Sequence, residues 1–162
     1  MLLWLNILAA TGKSVDRIAR DHWAEYGRNY YARHDYEGVD SAAADTLMAE
    51  LRGKLATLPG TSFGALTVAT ADDFAYEDPT DASVSRNQGV RVLFEGGSRV
   101  VFRLSGTGTS GATLRVYLER YEPVDGELDV ETGAMLAEIV AAAETIAGIQ
   151  RHSGRTEPDV VT

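Results

Sequence analysis

The 162-residue chain is long enough to bury a core as one domain of ordinary size. Its 44% apolar and 24% charged residues are those of a folded globular protein. A formal net charge of -9 argues against wide contact with a nucleic-acid backbone, which needs a basic face, yet leaves room for a local basic spot that binds small anions. The absence of cysteine excludes disulfides, thiolate nucleophiles and sulfur-ligated metals, and fits a reducing compartment.

The opening Met1–Ala10 is apolar. It lacks the positive flank of a signal peptide, is interrupted by Asn6, and is too short to cross a bilayer. It reads as a helix cut from a larger structure. Trp4, Leu5, Ile7 and Leu8 are then expected to be exposed or buried in a self-contact between chains. Ser14 caps a second helix with Val15, Ile18, Ala19, Trp23 and Tyr26 at helical spacing, ended by Gly27. Aromatic-rich Arg28–Tyr36 suits a strand. Asp40 caps the next helix, whose stripe is Ala44, Leu47, Met48, Leu51, Leu55 and Leu58, closed by Pro59-Gly60.

Ala65–Ala69 reads as a short strand. Asp72–Ser85, with acidic Asp72, Asp73, Glu77, Asp78 and Asp81, reads as a loop by composition. Val90–Phe94 and Arg99–Leu104 flank Glu95-Gly96-Gly97-Ser98, a hairpin signal. Ala112–Tyr121 alternates Leu114, Val116 and Leu118 against Arg115, Tyr117 and Glu119, as a third strand of this meander does. A last helix passes through Met135, Leu136, Ile139, Val140, Ala143, Ile146 and Ala147, and the polar tail from Arg151 to Thr162 reads as irregular. The element order predicts an α+β domain, an antiparallel sheet with helices packed on one face.

The stretch Arg103-Leu-Ser-Gly-Thr-Gly-Thr-Ser-Gly-Ala-Thr-Leu-Arg115 carries the chemistry. Its glycines leave backbone N–H groups open to close approach, Ser105, Thr107, Thr109 and Ser110 add hydroxyls, and successive exposed amides form an anion-binding concavity. Arginine supplies the planar fork that matches phosphate oxygens. If Leu104 pairs with Ala112, Arg103 and Arg115 become diagonal neighbours on one face, roughly 7–8 Å apart at Cα. Two like charges that close repel, and a phosphate dianion between them reverses the sign. The alternative is a Gly/Thr hairpin with two solvated arginines. No Gly-Lys-Ser/Thr follows the loop, and it does not open a helix, so it is neither a Walker A element nor a dinucleotide fingerprint.

This loop resembles the phosphate-binding loop of phosphoglucomutases acting on α-glucose phosphates, in the phosphohexomutase superfamily. Asp21-His22-Trp23, Tyr26-Gly27-Arg28-Asn29-Tyr30-Tyr31, Arg33-His34-Asp35-Tyr36-Glu37, Ser83-Val84-Ser85-Arg86-Asn87-Gln88-Gly89 and the closing Gly154–Thr162 agree in order. The resemblance implies the end of a third domain followed by a fourth, TATA-binding-protein-like domain, in members about three times longer. The expected division is 1–27 as a helical remnant of the third domain, 28–150 as the phosphate-binding α+β domain, and 151–162 as a tail. It further implies a cytoplasmic enzyme that interconverts glucose 1-phosphate and glucose 6-phosphate through a phosphoserine in the first domain. A magnesium ion in the second domain and glucose 1,6-bisphosphate assist. The fourth domain grips the non-reacting phosphate, here with Arg103, Ser105, Gly106, Thr107, Thr109 and Arg115.

Neither the family's Thr-Ala-Ser-His serine nor its Asp-x-Asp-x-Asp loop occurs here, so no catalytic residue, metal site or cofactor is expected in this chain, which alone should be inactive. The partners implied are sugar phosphates and the remaining mutase domains, with no nucleic acid and no membrane. The other reading is a stand-alone phosphate-ligand or protein-binding module. His22, His34 and His152 lack metal-ligand spacing, and the acidic stretch lacks EF-hand spacing. Arg28, Arg33 and Asp35 either face a neighbouring domain or form an internal ion pair; Arg86, Asn87 and Gln88 are candidates for support near the phosphate.

Overall fold

A computed structural model describes residues 2–108 and 111–162, with the side chains of 106–108 outside the description. Helices α1 (Leu2–Thr11) and α2 (Val15–Tyr26) lead into strand β1 (Arg28–Val39) and helix α3 (Ser41–Lys54). Strands β2 (Ser62–Phe63), β3 (Leu66–Glu77), β4 (Val84–Phe94), β5 (Arg99–Gly108) and β6 (Gly111–Glu122) follow, then helices α4 (Thr132–Ala147) and α5 (Ile149–Ser153) and strand β7 (Val160–Val161). Among the described residues the strands form one antiparallel sheet in the order β2-β3-β4-β5-β6-β1-β7.

Alternation decides which side of that sheet is dry. Val90, Val92 and Phe94 of β4, Val100 and Phe102 of β5, and Leu114, Val116 and Leu118 of β6 are buried. They share one core with Leu47 and Leu51 of α3 and Leu136, Ile139 and Ile146 of α4. The intervening residues of each strand therefore face the other way. The α+β architecture with helices on one face is as the sequence implies.

The caps are local chemistry. Ser14 accepts from the Arg17 amide and Asp40 from the Ala43 amide, while Gly27 ends α2 at φ 81°. A side chain at Gly27 would meet the Glu122 carbonyl oxygen at 2.4 Å, so the chain can turn here only on glycine. Neither α1 nor α2 contains a buried residue, and Leu2, Leu3, Trp4 and Leu5 are exposed. Tyr30, 1% exposed, donates to the Glu127 carbonyl and accepts from the Val130 amide, pinning the β6–α4 connection to β1.

Three expectations need correction. The acidic segment is not a loop throughout: Asp72–Glu77 complete β3, and Val84 and Ser85 begin β4. Asp72 is neutralised by Arg91 directly across the ladder and Asp73 by Arg52 of α3, so the carboxylates sit on a strand without isolated charge. Helix α3 stops at Lys54, leaving Leu55 as its cap and Leu58 beyond it. The tail is irregular only over 154–159: α5 runs to Ser153, and β7 adds an edge to β1, with the Arg33 amide donating to the Thr162 carbonyl and the Thr162 amide to the Arg33 carbonyl.

Candidate functional site

Arg103 and Arg115 stand directly opposite each other on β5 and β6, followed by Leu104 opposite Leu114 and Ser105 opposite Thr113. The diagonal register expected from the sequence is thus displaced by two residues. The difference arises because the two strands run on to Gly108 and Gly111, past the point where the expected loop begins, with one extra residue on β5 between Ser105 and Gly108. Facing residues of an antiparallel pair lie on the same side, about 4.5–5.5 Å apart at Cβ, so the two guanidinium stems are closer than anticipated. Leu104 and Leu114 point toward the helices; Arg103, Ser105, Thr113 and Arg115 share the outer face.

The loop between them closes on glycine. Gly111 has φ 96°, and a Cβ there would meet the Val39 carbonyl oxygen at 2.9 Å. Gly106 and Thr107 lie in β5 by backbone. Their side-chain positions, and Thr109 and Ser110 entirely, lie outside the described residues.

Two contacts with these arginines were not read from the sequence. Gly89 of β4 lies against Arg103: an added Cβ would fall 2.7 Å from Arg103 Cγ and 2.8 Å from the Phe102 carbonyl oxygen. Glycine here opens the slot in which the arginine stem lies. Asp35 of β1 is only 4% exposed and pairs in register with Arg115. Its Oδ1 accepts from Arg33 Nε at 2.8 Å, and its Oδ2 lies 3.8 Å from Arg115 Nε. The Arg33–Asp35 pair is thus internal to this chain. A signal was available, since Arg33-x-Asp35 puts both side chains on one strand face.

Among the described residues no carboxylate forms an ion pair with Arg103, whereas Arg91 is paired with Asp72 and Arg99 with Glu119 on the same face. Beside Arg103 lies a concavity of about 690 Å³ lined by Arg33, Phe74, Gln88, Val101, Tyr117 and Thr162, among others. The arrangement offers cations to an anionic group and apolar and aromatic floor to its carrier. Of the trio read from sequence as supporting residues, Gln88 reaches the concavity and donates to the Arg86 carbonyl, while Arg86 and Asn87 are exposed. Arg28 is engaged elsewhere: its guanidinium lies over the Trp23 and Tyr30 rings and donates to the Leu128 carbonyl.

The remaining candidates are structural. His34, paired with Val116 and Val161, is held below its ordinary pKa by desolvation, with Asp35 partly opposing. His152 lies beside Glu50 and Arg151. Among the described residues no group of three or more His, Cys, Asp or Glu is placed to hold a metal ion, so these side chains do not fit one. No described helix is long and apolar enough to cross a membrane.

Comparison with known proteins gives the same outline. Residues 28–159 match the family model described as the phosphoglucomutase-1 C-terminal domain. The chain is 65% identical over its full length to a phosphoglucomutase of Rhizobium radiobacter, and 44% identical to human phosphoglucomutase-1 over an alignment that also covers the whole chain. In both cases it spans 30% of the relative's length. The crystal structure of the exocytosis-sensitive phosphoprotein pp63/parafusin, a phosphoglucomutase from Paramecium in its open form, superposes with a TM-score of 0.86. It is 42% identical, and the match covers 98% of this chain and 28% of that one.

Proposed function

The chain belongs to the phosphoglucomutase family, matching its C-terminal domain, and from that premise we propose that it is the clamp for the phosphate of a sugar phosphate that is not being transferred. The observation that carries this reading is the direct opposition of Arg103 and Arg115 beside a glycine-closed hairpin. Like charges facing each other across a ladder cost a few tenths to about 1 kcal/mol in the absence of a ligand. A phosphate dianion converts that repulsion into charge-assisted hydrogen bonds. Ser105, Gly106, Thr107 and Thr109 would add hydroxyl and amide donors.

Such a clamp does no bond-making. Holding the remote phosphate fixes where the reacting end of the sugar lies, and phosphoryl transfer depends on positioning and charge stabilisation. The phosphoserine, the magnesium ion and any glucose 1,6-bisphosphate belong to the rest of a complete enzyme on this reading. On this reading residues 28–150 are the core of the binding unit, the tail joins it through β7, and 1–27 belong to the preceding domain; the match to 28–159 and the lack of buried side chains in α1 and α2 support the boundary at 28. Glucose 1-phosphate and glucose 6-phosphate are the proposed ligands, and a cytoplasmic setting agrees with relatives from pea and Arabidopsis that carry that word in their names.

The test is complementation. The Rhizobium radiobacter relative, truncated to remove the part this chain matches, is assayed for glucose 1-phosphate conversion with and without the chain in trans. Conversion rising with wild type but not with Arg103→Ala supports the clamp. Conversion rising equally with the two removes Arg103 from the clamp, and conversion absent with both while phosphate still binds favours a stand-alone binding module.

A further inference from the structure

We propose that Asp35 is a positioning residue of this site, a buried carboxylate that sets the direction of Arg115 before any ligand arrives; the proposal rests on the clamp reading above. Asp35 is 4% exposed, on the strand next to Arg115 and in register with it. A carboxylate so placed is expensive unless it is paired. It is flanked by two guanidinium groups, Arg33 Nε at 2.8 Å from one oxygen and Arg115 Nε at 3.8 Å from the other.

Arg115 Nε is buried and, among the described residues, has no hydrogen-bond partner. The Asp35 oxygen forms an ion pair with it at 3.8 Å, beyond ordinary hydrogen-bond reach by well under 1 Å. Binding through Nε leaves the two terminal nitrogens of the guanidinium free to fork onto a phosphate. The backbone around Asp35 is itself fastened. Its carbonyl accepts from the Asp159 amide at 2.8 Å, and β7 pairs with His34 and Asp35. Asp159 in turn accepts from the Glu37 amide and from Arg155.

The sign of one measurement separates positioning from simple electrostatics. Removing a negative charge near an anion site should tighten anion binding by Coulomb attraction alone. If Asp35 instead orients Arg115, Asp35→Asn weakens binding. Affinity for inorganic phosphate is measured by titration calorimetry on the full chain for wild type, Asp35→Asn, Asp35→Glu and Arg103→Ala. We expect about a tenfold loss for Asp35→Asn, the size of one misaligned charge-assisted contact. Asp35→Glu should recover part of it.

Equal or tighter binding by Asp35→Asn, with wild type still sensitive to Arg103→Ala, overturns the positioning role and leaves the clamp standing. Wild type that binds phosphate no better than Arg103→Ala sinks the clamp and the positioning role with it. Because removal of a buried charge can unfold the chain, relaxation of the Arg115 Nε–H group is also compared between ligand-free wild type and Asp35→Glu. Motion freer in Asp35→Glu than in wild type supports the role, and motion equal in the two overturns it.

Discussion

Arg103 keeps its place through what its neighbour lacks. Gly89 leaves a gap that the arginine stem fills, and Gly89→Ala would press a methyl group against both that stem and the Phe102 carbonyl. We expect a loss of about 1–3 kcal/mol in stability by urea denaturation, as overpacking of a closed site gives, together with weaker phosphate binding. Arg103→Ala should behave in the opposite way. With no described carboxylate partner to lose and a facing arginine relieved, its unliganded stability is expected within about 0.5 kcal/mol of wild type or slightly above. A large loss on denaturation would mean that Arg103 is structural. The residue types of the site were legible in sequence because glycine, hydroxyl and arginine cluster within thirteen positions. The contacts of Asp35 with Arg115 and of Gly89 with Arg103 were not, since they depend on strands brought alongside from elsewhere in the chain.

Among the elements, those whose boundaries are set by local chemistry could be read directly. Ser14 and Gly27 bracket α2, and Asp40 opens α3. Asp40→Ala is expected to cost about 1 kcal/mol, the usual loss of an N-cap acceptor, seen as a lower urea midpoint at unchanged slope; no change would deny the cap any role. Elements set by partners were harder. Asp72 and Asp73 look like loop residues until Arg91 and Arg52 are placed beside them. Val160 and Val161 look like an unattached tail until β1 offers an edge. The β5–β6 register differed because the strands extend to Gly108 and Gly111, into residues that composition alone marks as loop, with one extra residue on β5 between Ser105 and Gly108.

At the scale of the whole molecule, one face of the sheet is sealed by α3 and α4, and the opposite face carries Arg33, Arg91, Arg99, Arg103 and Arg115 in an otherwise acidic protein. Acid should loosen this arrangement in two stages. His34 is held below its ordinary pKa by burial, so its contribution is intact above the free-histidine value and begins to fall once pH drops below it. The Arg91 hydrogen bond holds Asp72 below the carboxylate range; that contribution is present above the free-aspartate pKa and is lost as pH falls past it. Stability measured by urea midpoint from pH 8 downward should therefore decline first near pH 6.5 and again near 4. A flat profile between pH 7 and 5 would deny His34 its part. The bare apolar strip on α1 is expected to draw chains together at high concentration, so sedimentation showing a monomer at every concentration would count against that surface.

Backbone amide NMR during titration with glucose 1-phosphate, and with inorganic phosphate, tests the shared anion site most directly, in wild type and Arg103→Ala side by side. Shifts that saturate and concentrate at residues 103–115, and that Arg103→Ala abolishes or moves to concentrations at least tenfold higher, are the expected result. Shifts scattered over the α3–α4 face, or identical in the two proteins, would contradict it.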